Sequence, residues 1–307
     1  MGSKRGLWAR VKMQRYLLLM LAPAFILVIL FNYAPLFGWV MAFTDYKVGQ
    51  PLFSGKFTGL LQFRRIFLDS SDIGYLLRNT LVINVSSVVL NLTVAVVFAL
   101  LVKEIVWKAG MKIVQTVSFF PYFISWVISY SVMAALLSVN SGVVNRLLVG
   151  AGALTRGINF LGSPDYSWQL MILLNMWKFT GYNTIIFLST ISGIPTELYE
   201  SAGIDGASRF QKVVYITLPH VLPTAYIMLI LNSGWIFSSN LEQFFIFTNS
   251  TNWEKMEVLD MYIYKFGMKL LDYPYSTAVG ILKSMVSLIM LAAVNGVVKK
   301  LSDTRVF

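Results

Sequence analysis

The stretch NTLVINVSSVVLNLTVAVVFALLV at residues 79–102 contains no charged side chain and few polar ones. An α-helix needs about 20 mostly apolar residues to cross a hydrocarbon core about 30 Å thick. Five further stretches have a suitable length and composition, and they lie at 16–43, 113–138, 168–192, 220–240 and 276–298. The sequence therefore predicts an all-α integral membrane protein with six transmembrane helices.

The composition of the whole chain supports a location in the bilayer. Of its 307 residues, 57% are hydrophobic and 13% are charged, and the mean hydropathy is +0.68, whereas ordinary soluble domains are about half apolar. The formal net charge of +11 comes from short Lys and Arg clusters between apolar runs. This pattern favours contact with anionic lipid over nucleic acid. The absence of cysteine excludes disulfides, iron–sulfur clusters and thiol chemistry.

The distribution of basic residues predicts the orientation of the helices. The N-terminal tail, the turn at 103–112, the loop at 193–219 and the C-terminal tail carry a larger positive excess than the opposite loops. Because cytoplasmic loops are enriched in Lys and Arg, both termini are expected in the cytoplasm. The first apolar run is too long for a signal peptide and is expected to remain as a span. No repeat or polar linker divides the chain, so residues 1–307 are predicted to form one transmembrane domain.

The loop IPTELYESAGIDGASRFQKVVYITLPHVLP at 194–223 lies between the fourth and fifth predicted spans. Pro195 suits the start of a helix, and acidic residues follow it in the first turn. Asp205-Gly206 is a turn signal that ends this helix, and two prolines mark the entry to the next span. The loop is therefore predicted to form a helix, a glycine turn and a second helix on the cytoplasmic side.

This loop resembles the EAA loop of binding-protein-dependent ABC importer permeases, both in its residues and in their spacing. The family pattern places E-A-A and D-G-A at this spacing and closes with I-x-L-P, as ITLP does at 216–219. Val213 differs from the phenylalanine that the family often has. In that family the loop forms a coupling helix that docks on the ATPase, which implies this role for the matching residues. They are Glu200, Ser201 (alanine in the family), Ala202, Asp205, Gly206 and Ala207.

The resemblance implies a type I ABC importer permease fold and a multi-pass location in the bacterial cell (inner) membrane. It further implies three protein partners: a second homologous permease subunit, an ATPase homodimer and an extracellular or periplasmic solute-binding protein. This chain is not expected to be an enzyme, because the nearest P-loop candidate, at 49–56, has the wrong spacing and is followed by Phe57. ATP and Mg are expected on the ATPase, so this chain is expected to hold no cofactor.

Further segments resemble the carbohydrate branch of that family, which implies oligosaccharides or polysaccharide fragments as substrates. An amino acid, a peptide or an anion is the alternative cargo. An ion-coupled secondary transporter is less favoured, because no inverted repeat is visible. The segments are AFTDYKVG at 42–49, LLRNTLVIN at 76–84, QTVSFFPYFISWVI at 115–128, LEQFFIFTN at 241–249, EVLDMYIYKFG at 257–267 and YSTAVGILKS at 275–284.

Aromatic and polar side chains recur together within three of the predicted spans. Sugar sites combine aromatic faces for C–H surfaces with hydrogen-bonding groups for hydroxyls, so these residues are candidates for the substrate pathway. The alternative is that they hydrogen-bond helix to helix within the bundle. The spacing within each set predicts that its members share one helical face. The candidates are Tyr122 and Trp126 (with Ser129) in the third span, Asn175, Lys178 and Tyr182 in the fourth, and Asn232, Trp235, Ser239 and Glu242 in the fifth.

Lys178 is expected near the middle of the bilayer, about 15 Å from the start of its span. A lysine there costs about 2.5 to 3.5 kcal/mol on insertion scales, so it needs a protein partner or a wet cavity. Two hypotheses remain open: a structural partner such as a backbone carbonyl, or an ammonium that lines the pathway. Lys283 is expected closer to the external interface, which its side chain could reach.

Two other signals do not indicate catalysis or a metal site. The lone histidine, His220, is expected at the cytoplasmic mouth of the fifth span without metal-ligand spacing around it. The carboxylates Glu254, Glu257, Asp260 and Asp272 crowd one external loop. The sequence fixes no separation between them that would suit a glycosidase, so a solvated loop is predicted.

Overall fold

The structure is a computed structural model that describes residues 13–68 and 72–301. Within these ranges the regular secondary structure is helical, apart from one isolated β-bridge between Thr44 and Phe57. The helices are α1 (Arg15–Val28), α2 (Leu61–Leu68), α3 (Ile73–Lys103), α4 (Lys108–Phe119), α5 (Trp126–Leu137), α6 (Val143–Gly150), α7 (Ser167–Ser192), α8 (Thr196–Ile204), α9 (Arg209–Lys212), α10 (Leu218–Ser233), α11 (Leu241–Phe247), α12 (Trp253–Met256), α13 (Leu259–Tyr264) and α14 (Tyr273–Leu301).

Among the described residues, four continuous helical segments are long and apolar enough to cross a membrane, namely Arg15–Phe43, Ile73–Lys103, Arg209–Ser233 and Tyr273–Lys300. A bent pair, Lys108–Phe123 with Trp126–Leu137, adds a fifth span if it is counted as one. Helix α7 has 26 residues but carries Lys178 and several amides, so it is less apolar. The count of six spans therefore stays a prediction. So does the cytoplasmic location of the termini, because both tails lie outside the described residues.

The third predicted span is not a straight helix, which corrects the sequence interpretation. It bends by 107° between Phe123 and Trp126. Pro121 ends the regular part of the first arm in a short 3-10 turn, and Ile124 is extended with ψ 133°. Ser125 then caps the second arm, since its Oγ accepts a hydrogen bond from Ile128 N at 3.3 Å.

The fifth predicted span, 220–240, begins earlier and ends earlier than expected. Helix α10 is continuous with α9 through a π-helical turn at Val213–Thr217, so the apolar segment starts at Arg209. Its last helical residue is Ser233, and Gly234 forms the C-cap. The following residues to Asn240 form turns and extended backbone. We call this stretch, 234–240, the wall segment.

The described residues divide into two compact units, 13–68 with 266–281 and 72–265 with 282–301. In the first unit, Arg65 pairs with Asp272 at 3.0 Å and its guanidinium lies 4.5 Å from the centroid of the Tyr275 ring. The second unit contains the long helices α3 and α7, which pack along each other. The prediction of one transmembrane domain over residues 1–307 stays a prediction.

Two buried apolar clusters hold the second unit together. Small side chains on α3 let the helices approach closely, as is common between membrane helices. One cluster comprises Leu92, Ala95, Ala99, Phe187, Ile191, Val221 and Met228. The other comprises Ile83, Trp126, Met171, Leu174, Phe244, Phe247, Met256 and Val258.

Gly181 sits where α7 crosses α4, and we expect Gly181→Ala to disrupt this crossing. A Cβ at this position would overlap the backbone carbonyl oxygen of Ser118, which cannot move as a flexible side chain could. We expect a clearly reduced yield of folded protein in detergent, measured by size-exclusion chromatography. Gly296→Ala is the control, because a Cβ there meets no atom within 4 Å and alanine favours a helix by about 1 kcal/mol. Equal yields of the two variants would contradict the prediction.

Candidate functional site

A cavity of about 330 Å³ lies in the second unit between α3, α7, the wall segment and α11. All of its lining residues belong to the described part of the chain, and none of them carries a charge. Three are serines: Ser87, Ser238 and Ser239. The amide side chains on its wall are Asn84, Asn91, Asn175, Asn183, Asn232, Asn240 and Gln243.

Aromatic rings form another part of the cavity wall. The rings of Tyr122 and Tyr182 are stacked, with centroids 4.6 Å apart and an interplanar angle of 13°. Phe179 meets Tyr122 edge to face at 5.8 Å. Trp235, on the wall segment, is 72% exposed. The cavity therefore offers aromatic faces next to neutral hydrogen-bonding groups.

Most of the pathway residues predicted from the sequence line this cavity. Helix α7 presents its residues on one face, as the helical spacing predicts. The expected face of the fifth span is wrong, because α10 ends at Ser233 and Glu242 belongs to the separate helix α11. Asn232, near the end of α10, nevertheless lines the cavity, and the wall segment brings Trp235 and Ser239 to it as well. The predicted residues that line it are Tyr122, Asn175, Tyr182, Asn232, Trp235 and Ser239.

The other three predicted residues lie off the cavity wall. Trp126 is 2% exposed and packs edge to face against Phe247. Glu242 is exposed in the first turn of α11. The buried Lys178 is not among the residues that line the cavity. Its Nζ donates to the carbonyl oxygens of Pro121, at 3.3 Å, and Ile124.

Lys178 thus contacts the backbone at the bend of the third span. The ammonium also lies 4.9 Å from the centroid of the Trp126 ring, which favours a cation. Of the two hypotheses that the sequence left open, these contacts favour the structural one, a backbone carbonyl partner. The bend leaves the carbonyl oxygens of Pro121 and Ile124 available to the ammonium, whereas in a continuous helix they would accept from backbone N–H groups.

The polar face of α3 was not predicted from the sequence. Asn84, Ser87 and Asn91 are spaced at i, i+3 and i+7, so they share one helical face, and all three line the cavity. They lie within the most apolar stretch of the chain, where the hydropathy average conceals them. The helical spacing of its few polar residues is the signal that could have identified this face.

Two polar atoms of this face have no hydrogen-bond partner among the described residues. They are Ser87 Oγ and Asn91 Oδ1, and the two side chains are 6% and 8% exposed. Burying a polar atom without a partner is unfavourable. Because both residues line the cavity, a ligand with donor groups could satisfy these atoms.

The wall segment is fixed by side chains from its surroundings. Asn84 Nδ2 donates to Ile236 O at 2.6 Å and to Ser239 Oγ at 3.0 Å. Ser239 N donates to Asp260 Oδ2 at 2.6 Å. On the neighbouring α11, Gln243 Oε1 accepts from Asn175 Nδ2 at 3.1 Å. Hydrogen bonds from three other helices therefore set the shape of this side of the cavity.

Three of the four carboxylates in the loop that was predicted to be external are paired, which corrects the prediction that they are solvated. Glu257 is 6% exposed and pairs with Lys265 at 3.1 Å. Asp260 pairs with Lys283, each side chain being 16% exposed. Lys283 therefore has a partner within the protein and does not depend on reaching the interface. Of the four carboxylates, Glu254 alone is exposed, as predicted.

The predicted helical hairpin is present at residues 196–217. Helix α8 ends at Ile204, and Gly206 has a φ of +78°, which is favourable for glycine. Ala207 N donates to Ala202 O at 2.8 Å across the turn. Ser208 then starts α9 with a reciprocal cap, in which Gln211 N donates to Ser208 Oγ and Ser208 N donates to Gln211 Oε1.

Several large apolar side chains are exposed on the outer surface of this hairpin. Ile204, Phe210 and Tyr215 are 88%, 75% and 76% exposed. Glu200 and Ser201 are exposed on α8, and Asp205 and Gly206 are exposed at the turn. Ala202 and Ala207 are partly buried where the turn closes. An exposed apolar surface of this kind is typical of a protein contact.

Within the described ranges, no group of three or more His, Cys, Asp or Glu side chains is placed to hold a metal ion. The single histidine, His220, is exposed, and its Nδ1 lies 2.7 Å from Ile216 O. Its location at the membrane interface stays a prediction.

Residues 91–303 match the family described as the binding-protein-dependent transport system inner membrane component. The polygalacturonan/rhamnogalacturonan transport system permease protein YteP of Bacillus subtilis (strain 168) is 35% identical over 305 residues, covering 99% of this chain and 94% of that protein. Protein LplB of the same organism is 32% identical, covering 97% and 93%. A solved bacterial ABC transporter involved in the import of the acidic polysaccharide alginate has a chain with TM-score 0.86 and 31% identity, covering 96% of this chain and 99% of that one.

The family match covers more than half of the chain, and the relatives align with nearly its full length. The importer permease resemblance that the loop at 194–223 carries is therefore confirmed, as are the predicted fold class and the multi-pass membrane location. The chain belongs to the family of inner membrane components of binding-protein-dependent transport systems.

Proposed function

We propose that this chain forms half of the pathway through which an ABC importer moves oligosaccharides or polysaccharide fragments across the membrane. The observation that carries the proposal is the uncharged cavity of about 330 Å³, lined by amides, hydroxyls and aromatic rings. Sugars are recognised by this combination, since ring faces stack on aromatics and hydroxyls bond to neutral polar groups. The named substrates of the relatives, polygalacturonan and rhamnogalacturonan for one and alginate for another, are of the same class.

The unpartnered atoms on α3 favour sugar hydroxyls as the groups that are bound. Ser87 Oγ and Asn91 Oδ1 are available as acceptors, and an acceptor needs a donor opposite it. A hydroxyl can donate to them, whereas a carboxylate can only accept. Acidic sugars also carry hydroxyls, so these acceptors suit a uronate oligosaccharide as well as a neutral one. These features favour the hydroxyl-rich face of a saccharide.

Transport is driven by a separate ATPase homodimer that contacts the hairpin at 196–217. Support comes from the exposed apolar side chains of the hairpin and from the family's EAA pattern in its turn. ATP and Mg are bound by that ATPase, and this chain contributes no catalytic group to hydrolysis.

A second homologous permease supplies the other half of the pathway, and an extracellular or periplasmic binding protein delivers the sugar. A solved relative, an alginate ABC transporter, was crystallised in complex with an alginate pentasaccharide-bound periplasmic protein. That transporter has a chain with TM-score 0.87 that covers 98% of this one.

We test the proposed cavity with Asn91→Leu, alone and combined with Ser87→Ala. The replacements remove buried acceptors that have no protein partner, so the stability of the permease should not fall. A sugar that bonds to these atoms should lose affinity, and the KM for uptake should rise about tenfold for one lost hydrogen bond. Uptake of labelled oligogalacturonides is measured in proteoliposomes with the full transporter and its binding protein.

Ser131→Ala is the matched control, since its hydroxyl is exposed and bonds to Val127 O in its own helix. It should leave the KM unchanged. If Asn91→Leu transports the sugar like the wild type, the cavity does not bind it. If amino acids, peptides or small anions compete for uptake, the proposed substrate class is wrong.

A further inference from the structure

The ion pair between Asp260 and Lys283 is placed behind the cavity wall, and it lines no part of the cavity itself. Asp260 lies in the first turn of α13, and Lys283 comes from α14. The two side chains form a salt bridge, and each is 16% exposed. A charged pair so far from water needs a reason, because a well-packed apolar pair is often as stable as a buried ion pair.

The second oxygen of the Asp260 carboxylate contacts the wall segment. Asp260 Oδ2 accepts from Ser239 N at 2.6 Å, while Oδ1 faces the Lys283 ammonium. The wall segment follows the last residue of α10, so Ser239 N has no helical carbonyl to bond to. The carboxylate takes the place of that carbonyl, and the lysine balances its charge.

The wall segment depends on two anchors on its two sides. Asn84 on α3 donates to Ile236 O and Ser239 Oγ, and Asp260 accepts from the backbone at the same residue, Ser239. Trp235, Ile236 and Ser239 line the cavity. Losing the Asp260 anchor would therefore release one side of the cavity wall while leaving the lining side chains unchanged.

We propose that the Asp260–Lys283 pair positions the cavity wall. The Asp260 carboxylate accepts the hydrogen bond from Ser239 N and so holds the wall segment in place. Substrate affinity depends on this carboxylate, although the carboxylate does not contact the substrate. The proposal rests on the proposed function, because affinity is defined by the sugar that the cavity binds. Lys283 has a supporting role, since it keeps the carboxylate paired within the membrane protein.

The test compares two double variants of similar side-chain shape, of which only one keeps an acceptor oxygen for Ser239 N. Both contain Lys283→Met, which removes the cation. Asp260→Asn with Lys283→Met keeps an oxygen that can accept from Ser239 N, whereas Asp260→Leu with Lys283→Met has a side chain of similar shape and no acceptor. Neither variant leaves a buried charge unpaired, so both are expected to assemble. If the leucine variant does not assemble, Asp260→Ala with Lys283→Met replaces it.

Two measurements on the complete transporter distinguish the outcomes. The chain contains no cysteine, so Ser238→Cys reports the mobility of the wall segment through its rate of thiol labelling. The kinetics of oligosaccharide uptake are measured without this cysteine. We expect the leucine variant to be labelled at least threefold faster than the asparagine variant. Its KM should rise about tenfold, with the maximal rate and the amount of assembled complex little changed.

Equal labelling rates in the two double variants would overturn the positioning role. Faster labelling without any change in KM would uphold the positioning of the wall segment and refute the link to substrate affinity. In that case the Asn91→Leu result decides whether the cavity binds sugar at all. A parallel fall in assembly and maximal rate, with the KM unchanged, would also overturn the proposal, because it indicates a purely structural pair.

Discussion

Lys178→Met is expected to lower the stability of the permease and to reduce transport in proportion to the loss of assembled protein. The ammonium donates to the carbonyls of Pro121 and Ile124, at the point where the third predicted span bends by 107°. Methionine has a similar length but no donor. Each buried carbonyl that loses its donor costs about 1 to 3 kcal/mol, which corresponds to a fall in the melting temperature of roughly 5 °C or more.

The measurement is thermal unfolding of the purified complex, followed by uptake per assembled transporter. Lys112→Met is the control, because this lysine is exposed on α4, the helix that leads to the bend. It should change neither property. A Lys178→Met protein that assembles with normal stability and yet loses uptake, most severely for acidic oligosaccharides, would contradict the structural role. That result would assign the ammonium to the substrate pathway, the alternative that the sequence left open.

The hairpin could be predicted from the sequence because its determinants are local. Pro195 is the N-cap of α8, Gly206 adopts the positive φ of the turn, and Ser208 with Gln211 caps α9. Each feature involves residues at most a few positions apart. The long apolar helices were predictable for a similar reason, since the length and hydropathy of a segment suffice to indicate a span.

The bend in the third span and the early end of α10 could not be predicted in the same way. Apolar residues surround Pro121 at the bend, and Trp235, Ile236 and Phe237 follow the end of α10, so neither break interrupts the apolar run for long. The bend is supported by Lys178, which is more than 50 residues away in sequence. The non-helical wall segment is held by Asn84 and Asp260, which are equally dependent on the tertiary fold.

Some of the residues that line the cavity were predicted from the sequence, and there is a physical reason why the others were not. On α7, helical spacing alone placed Asn175 and Tyr182 on one side. Ser239 reaches the cavity by a different route, because the wall segment is not helical. Asp260 was predicted to be solvated because acidic residues crowd its loop. Its partner Lys283 lies 23 residues away, and pairing across that distance depends on how α13 and α14 pack.

The largest functional loss is expected from Gly206→Pro, which should abolish coupling to the ATPase while leaving the permease folded in the membrane. Gly206 has a φ of +78°, whereas proline fixes φ near −65°, so the turn between α8 and α9 cannot form. A Cβ at this position meets no atom within 4 Å, so any effect comes from backbone conformation and not from a clash. Gly206→Val should cost about 1 to 2 kcal/mol for the left-handed conformation, or about tenfold in association with the ATPase.

Gly206→Asn provides the matched control, since asparagine tolerates a positive φ better than other side chains do. It should retain most of the association with the ATPase.

Glu200→Ala should weaken association without altering the backbone, because Glu200 is exposed on α8 and matches the family's coupling glutamate. Association is measured by co-purification with the ATPase from membranes, and coupling by the ATP hydrolysis that substrate-loaded binding protein stimulates. We expect association with the ATPase to decrease in the order Gly206→Asn, Gly206→Val, Gly206→Pro. Any other order would mean that the positive φ of this turn does not determine docking. Normal association of the proline variant would remove the hairpin from the coupling interface.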